Sequence, residues 1–272
     1  MKPAGTDPQG LRLASPGAGI LGLEASEEVR AIARFFCPQH LSVGQRVALP
    51  EQAAHHAGRV LRLKPGDALV LFNGEGGEFE ARIDALRKGA VDVLVEKFHA
   101  RERESALRIV LAQGVSTAEK MDFTLQKAVE LGVEAIYPVL TEKGVVRLDE
   151  ARAARRQVHW QAVVASACEQ CGRNRVPRVA PVSALPRFLQ ELAREPTRLV
   201  LSPRAERSLR DLAAPAAGAI FLAGPAGGLS AREERQAIDA GFEAVRLGPR
   251  ILRTETAAMA ALAAAQALWG DF

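Results

Sequence analysis

Cysteine is scarce, with only Cys37, Cys168 and Cys171 among 272 residues. So small and odd a count excludes a disulfide framework, and the N-terminus has no apolar stretch of the secretory kind, so a reducing, cytoplasmic setting is expected. Cys168 and Cys171 form a CxxC, yet a zinc site would need two more ligands, and a thioredoxin-like motif would open a helix after a strand. Neither context is visible, so the pair is read as incidental. His55 and His56 are adjacent and diverge on a helix, so no metal is expected there either. Unbroken apolar runs are also missing. The uncharged stretch from Leu212 to Leu229 has the length of a membrane span, but Pro215, Gly218, Gly224, Pro225, Gly227 and Gly228 interrupt it. Only Ala219 to Ala223 survives, as a buried strand, and no membrane partner is expected. Repeats at solenoid spacing are absent.

What is present is a globular composition, 48% hydrophobic and 25% charged, over a length that points to two domains. The formal charge is +4, and it is unevenly spread. Between Arg147 and Arg178 seven arginines face three acids, an excess equal to the net charge of the whole chain. Clustered guanidinium groups match phosphate and are the footprint of a nucleic-acid contact; they also line ordinary solvated helix faces. Charge alone leaves both readings open.

Residues 1 to about 30 are rich in Pro, Gly, Ala and Ser and read as a flexible extension, assigned to 1–33. Beyond it, Gln45–Leu49 is a strand candidate and Glu51–Leu63 a helix with Ala54, Gly58 and Leu61 along one side. Three strands follow, at Ala68–Phe72, Glu78–Asp84 and Val91–Glu96, separated by glycine turns, which suggests a small β-barrel. The charged run Arg101-Glu102-Arg103-Glu104 marks a domain boundary, placing the domains at 34–103 and 104–272.

After that run, strands alternate with helices, which implies an α/β domain with a parallel sheet covered on both faces. Strands are predicted at Leu107–Gln113, Glu134–Leu140, Arg198–Leu201, Ala219–Ala223 and Ala244–Leu247. Helices are predicted from the capping boxes Ser116-x-x-Glu119 and Ser230-x-x-Glu233, over Asp149–Glu169, and over Thr254–Trp269. In such sheets ligands bind where loops leave the carboxyl ends of strands. Two loops stand out there, Leu222–Ser230 with its glycines and Leu247–Thr256. Neither fits the dinucleotide or P-loop pattern, and each alone is weak evidence.

The run from Gly224 to Ala257, with GPAGG followed by LGPRILRTETA, resembles the C-terminal signature of SPOUT-class methyltransferases that modify N3 of a uridine in 16S ribosomal RNA. Arg34-Phe35-Phe36, Gly58–Arg62, Glu119–Gly132 and Ala167–Pro177 are similar to the family in order and spacing, so the resemblance runs from Arg34 to the end. It implies a PUA-like RNA-binding barrel, a catalytic α/β domain threaded into a trefoil knot, and a homodimer acting on 16S rRNA or the small ribosomal subunit. It also implies S-adenosylmethionine held by the two loops, with Leu222, Gly224, Gly227, Leu247, Gly248, Ile251 and Leu252 as the pocket. Ala226 stands where the family usually has Glu, and Leu229 where Phe is frequent.

Methylating N3 of uracil requires loss of an imide proton, so a base or an anion-stabilising cation must sit beside the pyrimidine. Arg253 and Glu255, at a helix start by the second loop, are the candidates; Glu255 equally suits a favourable N-terminal helix charge. Arg173, Asn174 and Arg175 are candidate RNA contacts, and Arg34, Arg59 and Arg62 candidate phosphate contacts on the barrel. Two other functions are carried alongside: a SPOUT-class enzyme for another RNA, and a noncatalytic ribosome-assembly factor.

Overall fold

The computed structural model describes residues 32–192 and 196–272. The predicted N-terminal extension lies, but for Ile32 and Ala33, outside the described residues. The first sheet contains β1 (Arg34–Phe36), β2 (Arg46–Ala48), β3 (Ala68–Phe72), β4 (Glu78–Arg87) and β5 (Ala90–His99), in the order β1-β3-β4-β5-β2. β1 pairs parallel with β3; the remaining pairs are antiparallel. In β4 the pleat sends Phe79, Ala81 and Ile83 inward against Glu80, Arg82 and Asp84 outward, as the alternation requires. The strand outlasts its predicted end because Arg87 pairs with Ala90 across a two-residue turn, in which Gly89 takes φ +81°.

The helix predicted over Glu51–Leu63 is shorter and changes type. α1 (Glu51–His55) passes into a π-helical turn, His56–Val60, closed by Leu61 N–H donating to the His56 carbonyl. The wider turn breaks the 3.6-residue period, so Leu61, expected on the buried side, is exposed, and Arg62 follows at φ +53°.

The second sheet is entirely parallel: β6 (Ile109–Gly114), β7 (Val133–Leu140), β8 (Arg178–Val179), β9 (Ser183–Ala184), β10 (Thr197–Leu201), β11 (Ala219–Ala223) and β12 (Glu243–Val245). Its order is β12-β10-β11-β6-β7-β8, with β9 also on β7. Helices α2 (Ala118–Glu130), α3 (Glu150–Cys171) and α6 (Thr254–Trp269) share a core with one face; α4 (Leu185–Glu191) and α5 (Ala231–Asp239) share a core with the other. Neighbouring strand residues divide between the two: Leu111, Leu199 and Phe221 face α2, α3 and α6, whereas Ala112, Val200 and Leu222 face α4 and α5.

One predicted capping box forms and one does not. Ser230 Oγ accepts from Glu233 N–H while the Glu233 carboxylate accepts from Ser230 N–H. Ser116 instead turns its buried hydroxyl to the Gly114 carbonyl, 3.3 Å away, and α2 starts after Thr117 without a side-chain cap. The helix begins one residue later than the spacing implies, with Thr117 rather than Ser116 at the N-cap.

Candidate active site and RNA interface

The loops leaving β7, β10, β11 and β12 converge at the carboxyl ends of the strands around a cavity of about 450 Å³. Both glycine-bearing loops of the sequence reading meet there: Gly224, Gly227, Leu247, Gly248, Ile251 and Leu252 all line it. Leu222 does not. Strand parity sends its side chain into the core beneath α4 and α5, and Ala223, one residue on, faces the cavity. Close approach requires glycine at 224, where a Cβ would sit 2.8 Å from the Leu229 nitrogen, and favours it at 227, where one would sit 3.1 Å from Lys143 Cβ.

The far wall was not anticipated. Lys143 follows β7 and donates to the Leu229 carbonyl at 3.2 Å, while Glu142 N–H donates to Glu233 Oε1 at 2.7 Å, tying the β7 loop to the glycine loop. Ser202 and Arg204 follow β10, and Arg204 pairs with Glu234 of α5 at 2.5 Å. Burial pushes the Glu234 carboxyl upward, but hydrogen bonds from Ser202 and Arg204 and the charges of Arg204 and Lys143 outweigh it and leave it below the usual range. The cavity thus offers aliphatic walls, backbone edges, one ionised carboxylate and several cations. Ala226 lies exposed on the rim, and the loop is closed without a carboxylate there by Gly228 N–H donating to the Pro225 carbonyl.

Arg253 and Glu255 flank the cavity without lining it. Arg253 is exposed at the start of α6, its carbonyl accepting from Ala257 N–H. Glu255 is mostly buried with Oε2 3.5 Å from Lys120 Nζ of α2. Arg250 does line the cavity and is exposed.

The basic residues expected on RNA divide sharply. Arg173 is 5% exposed; it grips Glu104 and donates to the Val129 and Val133 carbonyls. Asn174 is fully buried, donating to the Arg101 carbonyl and accepting from Arg34. Arg34 also donates to Glu78 at 2.5 Å and to the Gly172 carbonyl, and lies over the Phe72 ring. For these three the RNA expectation is corrected: burial and hydrogen bonds to Glu78, Glu104 and backbone carbonyls hold them at the seam between the two sheets. Glu78, 3% exposed, anchors the seam by accepting from Arg34, Arg101 and Arg103. Phe36 N–H donates to Glu169 across it, and Phe36 stacks on Phe72. Arg59, Arg62 and Arg175 are exposed, the last with a loose 3.7 Å pair to Glu102.

Cys168 is buried, and burial pushes its thiol up to about 12, which removes it from thiolate chemistry at neutral pH. Among the described residues no cluster of His, Cys, Asp and Glu gathers to hold a metal, and no helix is long and apolar enough to cross a membrane.

Comparison with known proteins gives this arrangement its class. A family model of an RNA methyltransferase domain matches residues 103–266, and one of an RNA methyltransferase PUA domain matches residues 49–96. The relatives carry a more particular name. A ribosomal RNA small subunit methyltransferase E of Buchnera aphidicola is 34% identical over 89% of this chain and 98% of its own length. The crystal structure of the corresponding enzyme from Neisseria gonorrhoeae, bound to S-adenosylmethionine, is 46% identical with a TM-score of 0.83, covering 89% of this chain and 99% of that one. A methyltransferase from Legionella pneumophila in complex with the same cofactor is 39% identical with a TM-score of 0.85, again covering 89% and 99%. The chain belongs to the ribosomal RNA small subunit methyltransferase E family.

Proposed function

We propose that this rRNA methyltransferase transfers a methyl group from S-adenosylmethionine to N3 of one uridine in the 16S rRNA of the small ribosomal subunit. The observation that carries the reading is the cavity at the strand ends, closed by the two family loops. Its residues fit the cofactor: Leu247, Ile251 and Leu252 with the glycine backbone suit an adenine, and ionised Glu234 beside Arg204 and Lys143 suits a zwitterionic tail. When bound, the cofactor supplies an electrophilic methyl group.

The protein must supply the rest. The N3–H proton leaves as the N–C bond forms and the S–C bond breaks, so the uracil needs a proton acceptor and a cation beside its anion. Glu255, kept beside Lys120, is our candidate acceptor; Arg253, exposed at the start of α6, is our candidate for the anion. Arg59 and Arg62 on the barrel and Arg175 at the seam are the remaining candidate phosphate contacts.

The wider reading has four parts: domains at 34–103 and 104–272, a trefoil knot in the second, a homodimer, and a cytoplasmic location. The knot is supported by β11 lying between β6 and β10 while α6, which follows edge strand β12, returns to pack on α2. The test is nucleoside mass spectrometry of 16S rRNA from a strain lacking the protein, restored by wild type or by Arg253→Ala. Wild type should restore 3-methyluridine and Arg253→Ala should not. A modification unchanged in the deletion strain would move the activity to another RNA or to noncatalytic assembly work.

A further inference from the structure

Buried polar groups cluster beneath the cavity at the end of β6. Gln113 is the penultimate residue of β6 and is 1% exposed, facing the α6 side by the same parity as Leu111. Its side-chain Nε2 donates to Thr254 Oγ1 at 3.0 Å, to the Gly114 carbonyl at 3.1 Å and to the Gly224 carbonyl at 3.4 Å. Thr254, itself buried, donates its hydroxyl to the same Gly224 carbonyl at 2.6 Å. Three segments far apart in sequence are thereby joined at one point: the end of β6, the start of the glycine loop and the first turn of α6. Gly114 has no room for a side chain there, since a Cβ would lie 2.4 Å from the Pro225 nitrogen.

An apolar residue would fill the Gln113 position without burying an amide whose Oε1 has no hydrogen-bond partner. The amide is therefore a poor choice for stability, and its value must lie in what it orients. Gly224 and Thr254 line the cavity and Gln113 does not. We propose that Gln113 and Thr254 are positioning residues that latch the glycine loop to α6 and so set the shape of the cofactor cavity. Gln113 acts only through its two partners. Resting on the assignment of that cavity to S-adenosylmethionine, the idea adds two residues to the cavity's supporting frame.

The experiment is calorimetric titration of the purified protein with S-adenosylmethionine, paired with thermal unfolding of the same samples without ligand. Gln113→Leu and Thr254→Val each remove latch hydrogen bonds at nearly constant volume, so each should weaken binding about tenfold, the equivalent of one to two hydrogen bonds. The melting temperature should hold or rise in Gln113→Leu. Thr254→Ser keeps the hydroxyl and should bind within about twofold of wild type. Because the two residues share one network, the double variant should bind little worse than either single. Wild-type affinity in both single variants, or losses that scale with melting temperature and extend to Thr254→Ser, would overturn the latch. Absence of binding by wild type itself would instead remove the cofactor assignment, and the latch with it.

Discussion

Removing the carboxylate at the seam between the sheets is the sharpest test of how the two halves are held. Glu78 is buried and accepts from Arg34 at 2.5 Å, Arg101 at 2.8 Å and Arg103 at 3.4 Å. Arg101 and Arg103 are largely solvated, so their share is small; Arg34 is nearly buried and dominates. Breaking a buried pair by deleting one partner costs roughly 3–5 kcal/mol when the other is orphaned. Arg34 retains Asn174 and the Gly172 carbonyl as acceptors, so the cost of Glu78→Gln should fall below that range, near ~2 kcal/mol. For a chain of this size that corresponds to about 6 °C in Tm. The pH dependence follows from the carboxyl itself. Burial works to raise its pKa, but hydrogen bonds and charge from Arg34 and then Arg103 hold it below the ordinary value. A depressed carboxylate contributes stability that is present above the unfolded pKa and is lost as pH falls through the folded one. Urea titrations should therefore show the full difference between wild type and Glu78→Gln from about pH 5 upward, shrinking toward pH 3. A difference under ~0.5 kcal/mol at pH 7, or one that stays constant to pH 3, would refute the argument.

Further expectations follow from single distances. Gly114→Ala places a methyl group against the Pro225 backbone, an overpacking cost of about 1–3 kcal/mol, and should abolish detectable binding of S-adenosylmethionine while the first sheet keeps its amide-exchange protection. At pH 8 an alkylating reagent should leave Cys168 unmodified in the native protein, as mass-mapped peptides would reveal, and label it only after unfolding. Arg59→Ala should weaken RNA binding in a salt-dependent manner without changing Tm, whereas Arg173→Met should lower Tm by several degrees; filter binding and calorimetry on the same preparations separate the two.

Much of the fold was legible because its signals are local. α6 runs over the span its alanine-rich stretch predicted, and the alternation in β4 reports the face it buries. Ser230 and Glu233 cap a helix as their spacing requires, each side chain accepting from the other's backbone N–H. Ser116 fails the same rule because α2 starts one residue later, with Thr117 at the N-cap position, and the Ser116 hydroxyl donates locally to the Gly114 carbonyl. The site was half legible. Glycine loops after strands advertise themselves, but the Leu222 error came from counting the pocket one residue early, where parity decides the face. Ser202, Arg204 and Glu234 carry no motif, yet the rule about strand ends applied to β7 and β10 would have pointed to that wall.

The misread arginines carry the larger physical lesson. A guanidinium has five donors and no acceptor, so it satisfies backbone carbonyls as well as phosphates. Which it does depends on acceptors contributed by distant segments. Arg173 meets the carbonyls at Val129 and Val133 because α2 ends and β7 begins there, and Arg34 meets the Gly172 carbonyl because α3 ends there. Val129 lies in the last turn of α2, Gly172 caps α3 and Val133 opens β7, places where a backbone carbonyl takes a donor from a distant segment. A cation inserted at such a point ties the helix end to another element. Sequence charge counts these residues with the candidate RNA-facing set, but burial removes them from it and leaves Arg59, Arg62 and Arg175 as the proposed phosphate contacts, with exposed arginines also on α3. The excess positive charge of this chain is thus partly structural, and a salt dependence of RNA affinity should report fewer phosphate contacts than the arginine count of the 147–178 segment implies.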